Sequence, residues 1–281
     1  MDRHNSRMKP HAEAVTISRL VVIDDLTVGL TALGLGRGDV ALVHSSLSSF
    51  GVVVGGEQTV LAALAEVLGP EGTAVMPAQS WQLCDPDFLN DPLLDADTRQ
   101  AIREALPAFD LHLTPTRSMG AVAELFRSQP GTLRSNHPHR SFAAKGPLAP
   151  QIVATQEIDD PFGPLSPLAR LVDLDAVVLL LGVGFDKCTA LHHAEVRVAR
   201  GEVATNGARL IQGGQSVWKS WSEPQVHSDD FDALGKDLET GSHPDEPSAV
   251  ARVTIGRATC RAVRLRTLMT FADAWLDKHR G

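Results

Sequence analysis

DVALVHSSLSSFGVVVGGEQTVLAALAEVLGPEGTAVMP, residues 39–77, decides the fold. DVALVH at 39–44 is a short apolar run closed by a polar cluster, the pattern of a buried strand. The small residues of 45–56 predict a turn. Val60, Leu61, Leu64 and Leu68 recur at helical spacing over 57–68, and Gly69-Pro70 stops that helix. GTAVMP at 72–77 is a second strand. Strand, turn, helix, strand is a βαβ unit, which implies parallel strands and a right-handed crossover. Such sheets take ligands beyond the carboxyl ends of their strands. Residues 44–49 and 77–81 are therefore expected side by side at one crevice.

Working outward, the spacing predicts a helix over 15–35, with Thr16 as cap and Leu26, Leu30 and Leu33 on one face. Residues 82–115 are rich in Asp and Pro and read as a functional excursion with a short helix at 97–106. A helix is expected over 119–126, capped by Ser118, and a loop over 132–144. Another short helix is expected over 166–171, with Pro167 in its first turn. AVVLLLG at 176–182 is the clearest buried strand, and a helix follows from about Ala190. Further on, 208–211, 216–221 and 258–265 read as strands, QGGQ at 212–215 as a hairpin turn, and 231–238 and 268–277 as helices. The expected fold is α/β: a three-layer α/β/α sandwich with a largely parallel central sheet and added antiparallel C-terminal strands. One domain over 15–281 follows a flexible arm over 1–14.

Composition narrows the function classes. The chain has 281 residues, 43% hydrophobic and 21% charged, enough to bury a core without staples. A net charge of −8 suits neither nucleic acid nor an anionic membrane. Cys84, Cys188 and Cys260 form no CxxC pair, which argues against a disulfide framework or thiolate zinc and for a reducing compartment. Residues 1–14 lack the apolar core of a signal peptide, and the run 176–181 is too short to span a bilayer. A cytoplasmic protein is expected.

Chemistry concentrates in GVGFDKCTALHHAE, residues 182–195, which begins where a buried strand ends. His192 and Glu195, three apart, share a helix face, and Asp186 can fold back from the loop. A carboxylate beside an imidazole fixes its tautomer and raises its basicity. The same spacing is common on solvated helices. RSNHPHRS at 134–141 is either a second imidazole at the site or a solvated turn. The hydroxyls and amides of 44–49 suit a phosphate, but no P-loop is present. G-x-S-x-G and HExxH are absent too.

Taken in order, these segments resemble the aminoglycoside 3-N-acetyltransferases, the non-GNAT, coenzyme A-dependent antibiotic acetyltransferases. VHSSLSSFGVVVGGEQTVLAAL, GPEGTAVMPAQSW, LTPTRSMGAVAELFRSQPG, RSNHPHRSFAAKGPLA, SPLARL and LLLGVGFDKCTALHHAE carry the resemblance, over roughly 17–277. It implies an acetyl-CoA co-substrate, no metal, and the 3-amine of a 2-deoxystreptamine ring as acceptor, hence antibiotic resistance. The family's Leu-His-x-Ala-Glu motif falls on Leu191, His192, Ala194 and Glu195, making His192 the implied general base. Asp186 and Thr189 match a further motif, from which Lys187-Cys188 departs. Arg134, Ser135, His137 and Pro138 match the Arg-Ser-x-His-Pro loop, which adds His137 to the catalytic candidates. Coenzyme contacts are implied at His44, Ser45, Ser46 and Leu47, at Met76, Pro77, Ala78 and Ser80, and at Arg117, Ser118 and Met119.

The expected mechanism needs no covalent intermediate, because the thioester is already activated. His192 takes the ammonium proton, oriented by Glu195 or Asp186, and Thr189 or a backbone N–H of its loop meets the oxyanion. Asp85, Asp87, Asp91, Glu195 and Glu223 are candidates for a carboxylate-lined mouth that holds a polycation. The implied partners are coenzyme A and an aminoglycoside, with neither nucleic acid nor membrane, and a homodimer is left open. Three rivals stand beside this reading. One is the same transfer onto another, biosynthetic amine. Another is a metal-assisted hydrolase built on His192, His193 and Asp186, with Cys188 as a further ligand. The third is a binding module without turnover.

Overall fold

Val40, Leu42, Val75, Val178 and Leu180 face one hydrophobic core, while Ala41, Val43, Met76, Leu179 and Leu181 face another. That period of two is what a sheet buried on both faces requires. The computed structural model describes residues 20–198, 202–241 and 248–280. The arm expected over 1–14 and the Thr16 cap lie outside the described residues.

The expected βαβ unit is present. β1 (Leu20–Val21) and α1 (Ile23–Ala32) precede β2 (Val40–Ser45). A 3-10 turn, Leu47–Phe50, and β3 (Val52–Val53) lead into α2 (Gly56–Leu68) and β4 (Thr73–Pro77). β2 pairs parallel with β4. The helix expected over 15–35 is shorter, because residues 20–21 pair with β3 instead. The Val22 amide donates to Asp25 Oδ2 at 3.1 Å where α1 begins.

The excursion carries α3 (Pro86–Leu89) and α4 (Ala96–Ala105), followed by α5 (Ala121–Ser128). Ser118 does not cap α5; Gly120 holds that position, and Ser118 itself has φ of 64°. The loop expected over 132–144 contains two strands, β5 (Leu133–Arg134) and β6 (Phe142–Lys145). β6 runs antiparallel against β4 and β5 against β6. Then come α6 (Ala149–Val153), α7 (Pro167–Asp173), β7 (Val177–Leu181) and α8 (Leu191–Val198). Ser166 caps α7 by accepting from the Ala169 amide.

The C-terminal third holds β8 (Val203–Gln212), β9 (Gln215–Pro224), α9 (Phe231–Thr240), β10 (Ala251–Ile255), β11 (Ala258–Arg264) and α10 (Leu265–Arg280). Gly213 and Gly214, both at positive φ, make the hairpin turn between β8 and β9. The main sheet runs β10-β11-β7-β2-β4-β6-β5, and β8-β9 form a separate two-stranded sheet. The α/β/α sandwich is thus formed, with α1, α2 and α5 on one face and α6 to α10 on the other. Its parallel core is narrower than expected, being the three strands β7-β2-β4, with antiparallel strands on both sides. Of the expected C-terminal additions, the β8–β9 hairpin stays out of the main sheet while β10 and β11 join it. Among the described residues, no helix is long and apolar enough to cross a membrane.

Candidate active site

The carboxyl ends of β2, β4 and β7 bring the turn after Ser45, residues 77–81 and the loop 182–190 together. The Ser46 amide donates to the Leu181 carbonyl at 3.0 Å, and Ser49 Oγ donates to the Gly182 carbonyl at 2.8 Å. A Cβ on Gly182 would lie 2.7 Å from that of Ser49, so this approach needs a glycine, and φ there is +73°. A cavity of about 410 Å³ opens beside this junction. Of the expected coenzyme contacts, His44, Ser45, Ser46, Leu47, Pro77, Ser118 and Met119 line it, and so does Thr189.

The other expected contacts do not line it. Met76 is packed in the core. The Ala78 carbonyl and Ser80 Oγ are buried and both accept from Arg134 Nη2 at 2.6 Å. Arg117 is exposed, and its amide donates to the Gln79 carbonyl.

His192 sits in the first turn of α8, and its amide donates to the Thr189 carbonyl. Its Nδ1 lies 2.6 Å from Glu195 Oε2. A carboxylate at that distance accepts, which assigns the proton to Nδ1 and leaves the Nε2 lone pair to take another. The ring is stacked on Phe162 and tilted against Phe231, each 5.1 Å away between centroids. Burial lowers the His192 pKa, Glu195 opposes that, and Arg140 and Arg280 add to it. The imidazole is therefore neutral at neutral pH and ready to accept.

Glu195 is only 2% exposed. Besides His192 it accepts from the His227 amide at 2.9 Å and from Arg280 Nη1 at 2.5 Å. Burial would raise its pKa, yet these partners hold it below the ordinary value. Arg280 is the last residue of α10 and also binds Asp230. Sequence reasoning missed Arg280, Phe162 and Phe231, none of which carries a local signal.

Asp186, the other carboxylate offered to His192, is turned away. Its Oδ2 pairs with Lys187 at 2.8 Å, and its amide donates to Asp232. The geometry does not support the expected catalytic role of His137 either. That ring is fully buried, with Nδ1 accepting from the His139 and Arg140 amides and Nε2 donating to the Ile158 carbonyl. Both nitrogens brace the 137–140 turn, and burial drives the pKa well below 6.5.

The acidic mouth expected from 85, 87, 195 and 223 is not formed, because each carboxylate already has a cation. Asp85 and Asp87 share Arg103, and Asp87 also binds Arg99. Glu223 pairs with Arg140 at 3.0 Å, and Glu195 with Arg280. Asp91 is spent on the Leu93 amide. The four ligands of the hydrolase alternative do not converge. His193 Nδ1 donates to the Phe162 carbonyl, Asp186 faces Lys187, and burial pushes the Cys188 thiol up to about 12. Among the described residues, no group of three or more His, Cys, Asp or Glu is placed to hold a metal ion.

A family model described as aminoglycoside 3-N-acetyltransferase matches residues 42–277, a range that holds His44, Thr189, His192 and Glu195. The chain belongs to that family. It is 39% identical over 269 residues to the SPbeta prophage-derived aminoglycoside N(3′)-acetyltransferase-like protein YokD of Bacillus subtilis, covering 95% of this chain and 96% of that one. The crystal structure of YokD superposes with a TM-score of 0.87 at 37% identity, covering 94% and 96% of the two chains. Aminoglycoside N(3)-acetyltransferase VII of Streptomyces paromomycinus is 35% identical over 90% of each chain. A solved structure of AAC-IIIb in a binary complex with CoASH superposes with a TM-score of 0.80 at 28% identity, covering 92% and 97%. The protein is thus an enzyme of an acetyltransferase family.

Proposed function

We propose that this enzyme transfers the acetyl group of acetyl-coenzyme A to an amine, with the 3-amine of a 2-deoxystreptamine aminoglycoside as acceptor. The observation that carries the reading is the His192–Glu195 pair, one turn beyond Thr189 at the cavity. The acetyl-CoA arm lies along the Ser45–Ser46 and Ser118–Met119 walls. The ammonium first loses one proton to solvent, and Nε2 of His192 takes a second as the neutral amine nitrogen closes on the thioester carbonyl. The carbon–sulfur bond then breaks, and the imidazolium, balanced by Glu195, returns the proton to the departing thiolate. Holding amine and thioester together supplies much of the rate. Thr189 stands at the cavity wall where an oxyanion donor is needed.

An aminoglycoside brings further positive charges. Glu157, Asp159 and Asp160 are the carboxylates nearest in sequence to Phe162 that pair with no cation among the described residues. Burial, then Glu157 and Asp159, raise the Asp160 pKa, a tension that a bound cation would relieve. One observation favours a second acceptor class, a less cationic amine: internal arginines already neutralise Asp85, Asp87, Glu195 and Glu223.

Thiol release from acetyl-CoA, measured across several aminoglycosides and simpler amines, tests both. Aminoglycoside-dependent release that drops about 10²–10⁴-fold in His192→Ala is expected. Release with simple amines alone would move the acceptor to the second class. Near-normal turnover by the variant would remove His192 from the chemistry.

A further inference from the structure

The loop between β7 and α8 carries an amine that the transfer reaction leaves without a task. Lys187 closes a 3-10 turn, Phe185–Lys187, and belongs to the pair at which this chain departs from the family's motif. The turn is pinned to its surroundings. The Lys187 amide donates to the Gly184 carbonyl at 3.3 Å, the Asp186 amide donates to Asp232 Oδ1 at 3.1 Å, and the Phe185 side chain is buried in the core. From that fixed backbone the Lys187 side chain lines the His44 cavity, together with Ser118, Met119 and Thr189. Among the described residues it is the one lysine on that wall. Its ammonium pairs with Asp186 Oδ2 at 2.8 Å, but the Lys187 side chain is 67% exposed and that of Asp186 36%. An ion pair so open to water is held weakly, and a lysine carries its charge on a flexible four-carbon stem. The amine is therefore free to leave Asp186 and turn into the cavity. Lys145, Lys219 and Lys278 are exposed too, but on surfaces away from it.

We propose that Lys187 is a self-acetylation site: with acetyl-CoA bound and no acceptor amine in place, its Nζ takes the acetyl group. The inference rests on the acetyl-CoA reading above and adds an internal acceptor to it. Confining amine and thioester to one cavity of about 410 Å³ gives an effective concentration on the order of 1 M or more. The exposed ammonium first gives one proton to water. The neutral Nζ then bonds to the thioester carbonyl carbon, the carbon–sulfur bond breaks, and the sulfur leaves with the electron pair. A second Nζ proton passes through water to that thiolate, so the products are acetyl-lysine and the free thiol of coenzyme A. Acetylation turns the ammonium into a neutral amide and leaves Asp186 without its cation.

Peptide mass spectrometry on the full, wild-type chain, incubated with acetyl-CoA and no added amine, tests the assignment. Lys187 is expected to gain an acetyl group at least about tenfold faster than Lys145, Lys219 and Lys278, which serve as internal controls. An excess of a non-reactive thioether of coenzyme A should slow Lys187 to the rate of the controls. Acetyl phosphate, an acetyl donor without the coenzyme's body, should modify all four alike. In Lys187→Arg, thiol release without an amine should fall to the rate that the control lysines account for. A Lys187 rate no higher than the controls overturns the proposal. So does a preference that survives the thioether or appears with acetyl phosphate. Acetylation of Lys187 with no thiol release toward any added amine keeps this site and loses the aminoglycoside reaction. Release with aminoglycosides and no preference for Lys187 does the reverse.

Discussion

At the scale of single residues, His192 is held between opposed influences. Burial and the guanidinium groups of Arg140 and Arg280 lower its pKa, while the Glu195 carboxylate raises it. A base must be unprotonated to act, so the acid limb of kcat/KM follows the His192 pKa and should lie below the ordinary 6.5. Glu195→Gln removes the raising influence. The limb should move to lower pH, and turnover should fall about 10²–10⁴-fold as the tautomer is released. Arg280→Ala removes a lowering influence, so the limb should move to higher pH with a smaller loss of rate. Opposite displacements in the two pH–rate profiles are the expected result; displacement in the same direction would break the assignment. His192 and Glu195 could be read from sequence because three residues on a helix bring side chains together. Arg280 could not, because it meets Glu195 from 85 residues away. His137 misled because a dense polar loop reads alike whether it faces water or the interior, and here burial decides.

Among the elements, the β8–β9 hairpin is fastened to the β5–β6 connection by Arg140 and Glu223. Both side chains are almost fully buried. Glu223 also accepts from Trp221 Nε1 at 2.8 Å, and the Arg140 guanidinium lies 4.3 Å above the Trp81 ring. Removing one partner of such a pair strands a buried charge, so Glu223→Ala should lower unfolding stability by about 3–5 kcal/mol in a denaturant titration. Arg140→Met/Glu223→Leu should recover most of that loss, because replacing both charges leaves neither uncompensated. A double variant no better than the single one would mean that the pair holds the hairpin by more than charge balance. This hairpin also marks where sequence reading ends. Alternation and a Gly-Gly turn announce two paired strands, but they do not say which sheet those strands join. β2, β4 and β7 were legible as continuous apolar runs bounded by Gly, Pro or polar clusters. β5 and β6, two and four residues long, were hidden in an Arg- and His-rich loop.

For the whole molecule, the sheet's two covered faces and the loops above them enclose several imidazoles. Burial is the largest influence on His44, His137, His139, His192 and His193, and it lowers the pKa of each, His44 and His139 to about 3. In the unfolded chain these groups titrate near 6.5. Below that pH the unfolded state binds protons that the folded state refuses, so stability falls as pH falls. Each histidine contributes at most on the order of 1 kcal/mol per pH unit, beginning near 6.5 and continuing for His44 and His139 toward 3. The carboxylates with depressed pKa, Glu195 and Asp230, act lower. Their stabilisation is complete above ordinary values of 4.5 and 3.8 and is lost only beneath them. The interval from pH 6.5 to 5 therefore isolates the histidines. The melting temperature should be level from pH 8 to 7 and drop steeply between 6.5 and 5, well before the carboxylates titrate. A melting temperature constant from pH 8 to 5 would mean that these imidazoles take up protons inside the fold. His192 would then not be held in the neutral form that proton transfer at its Nε2 requires.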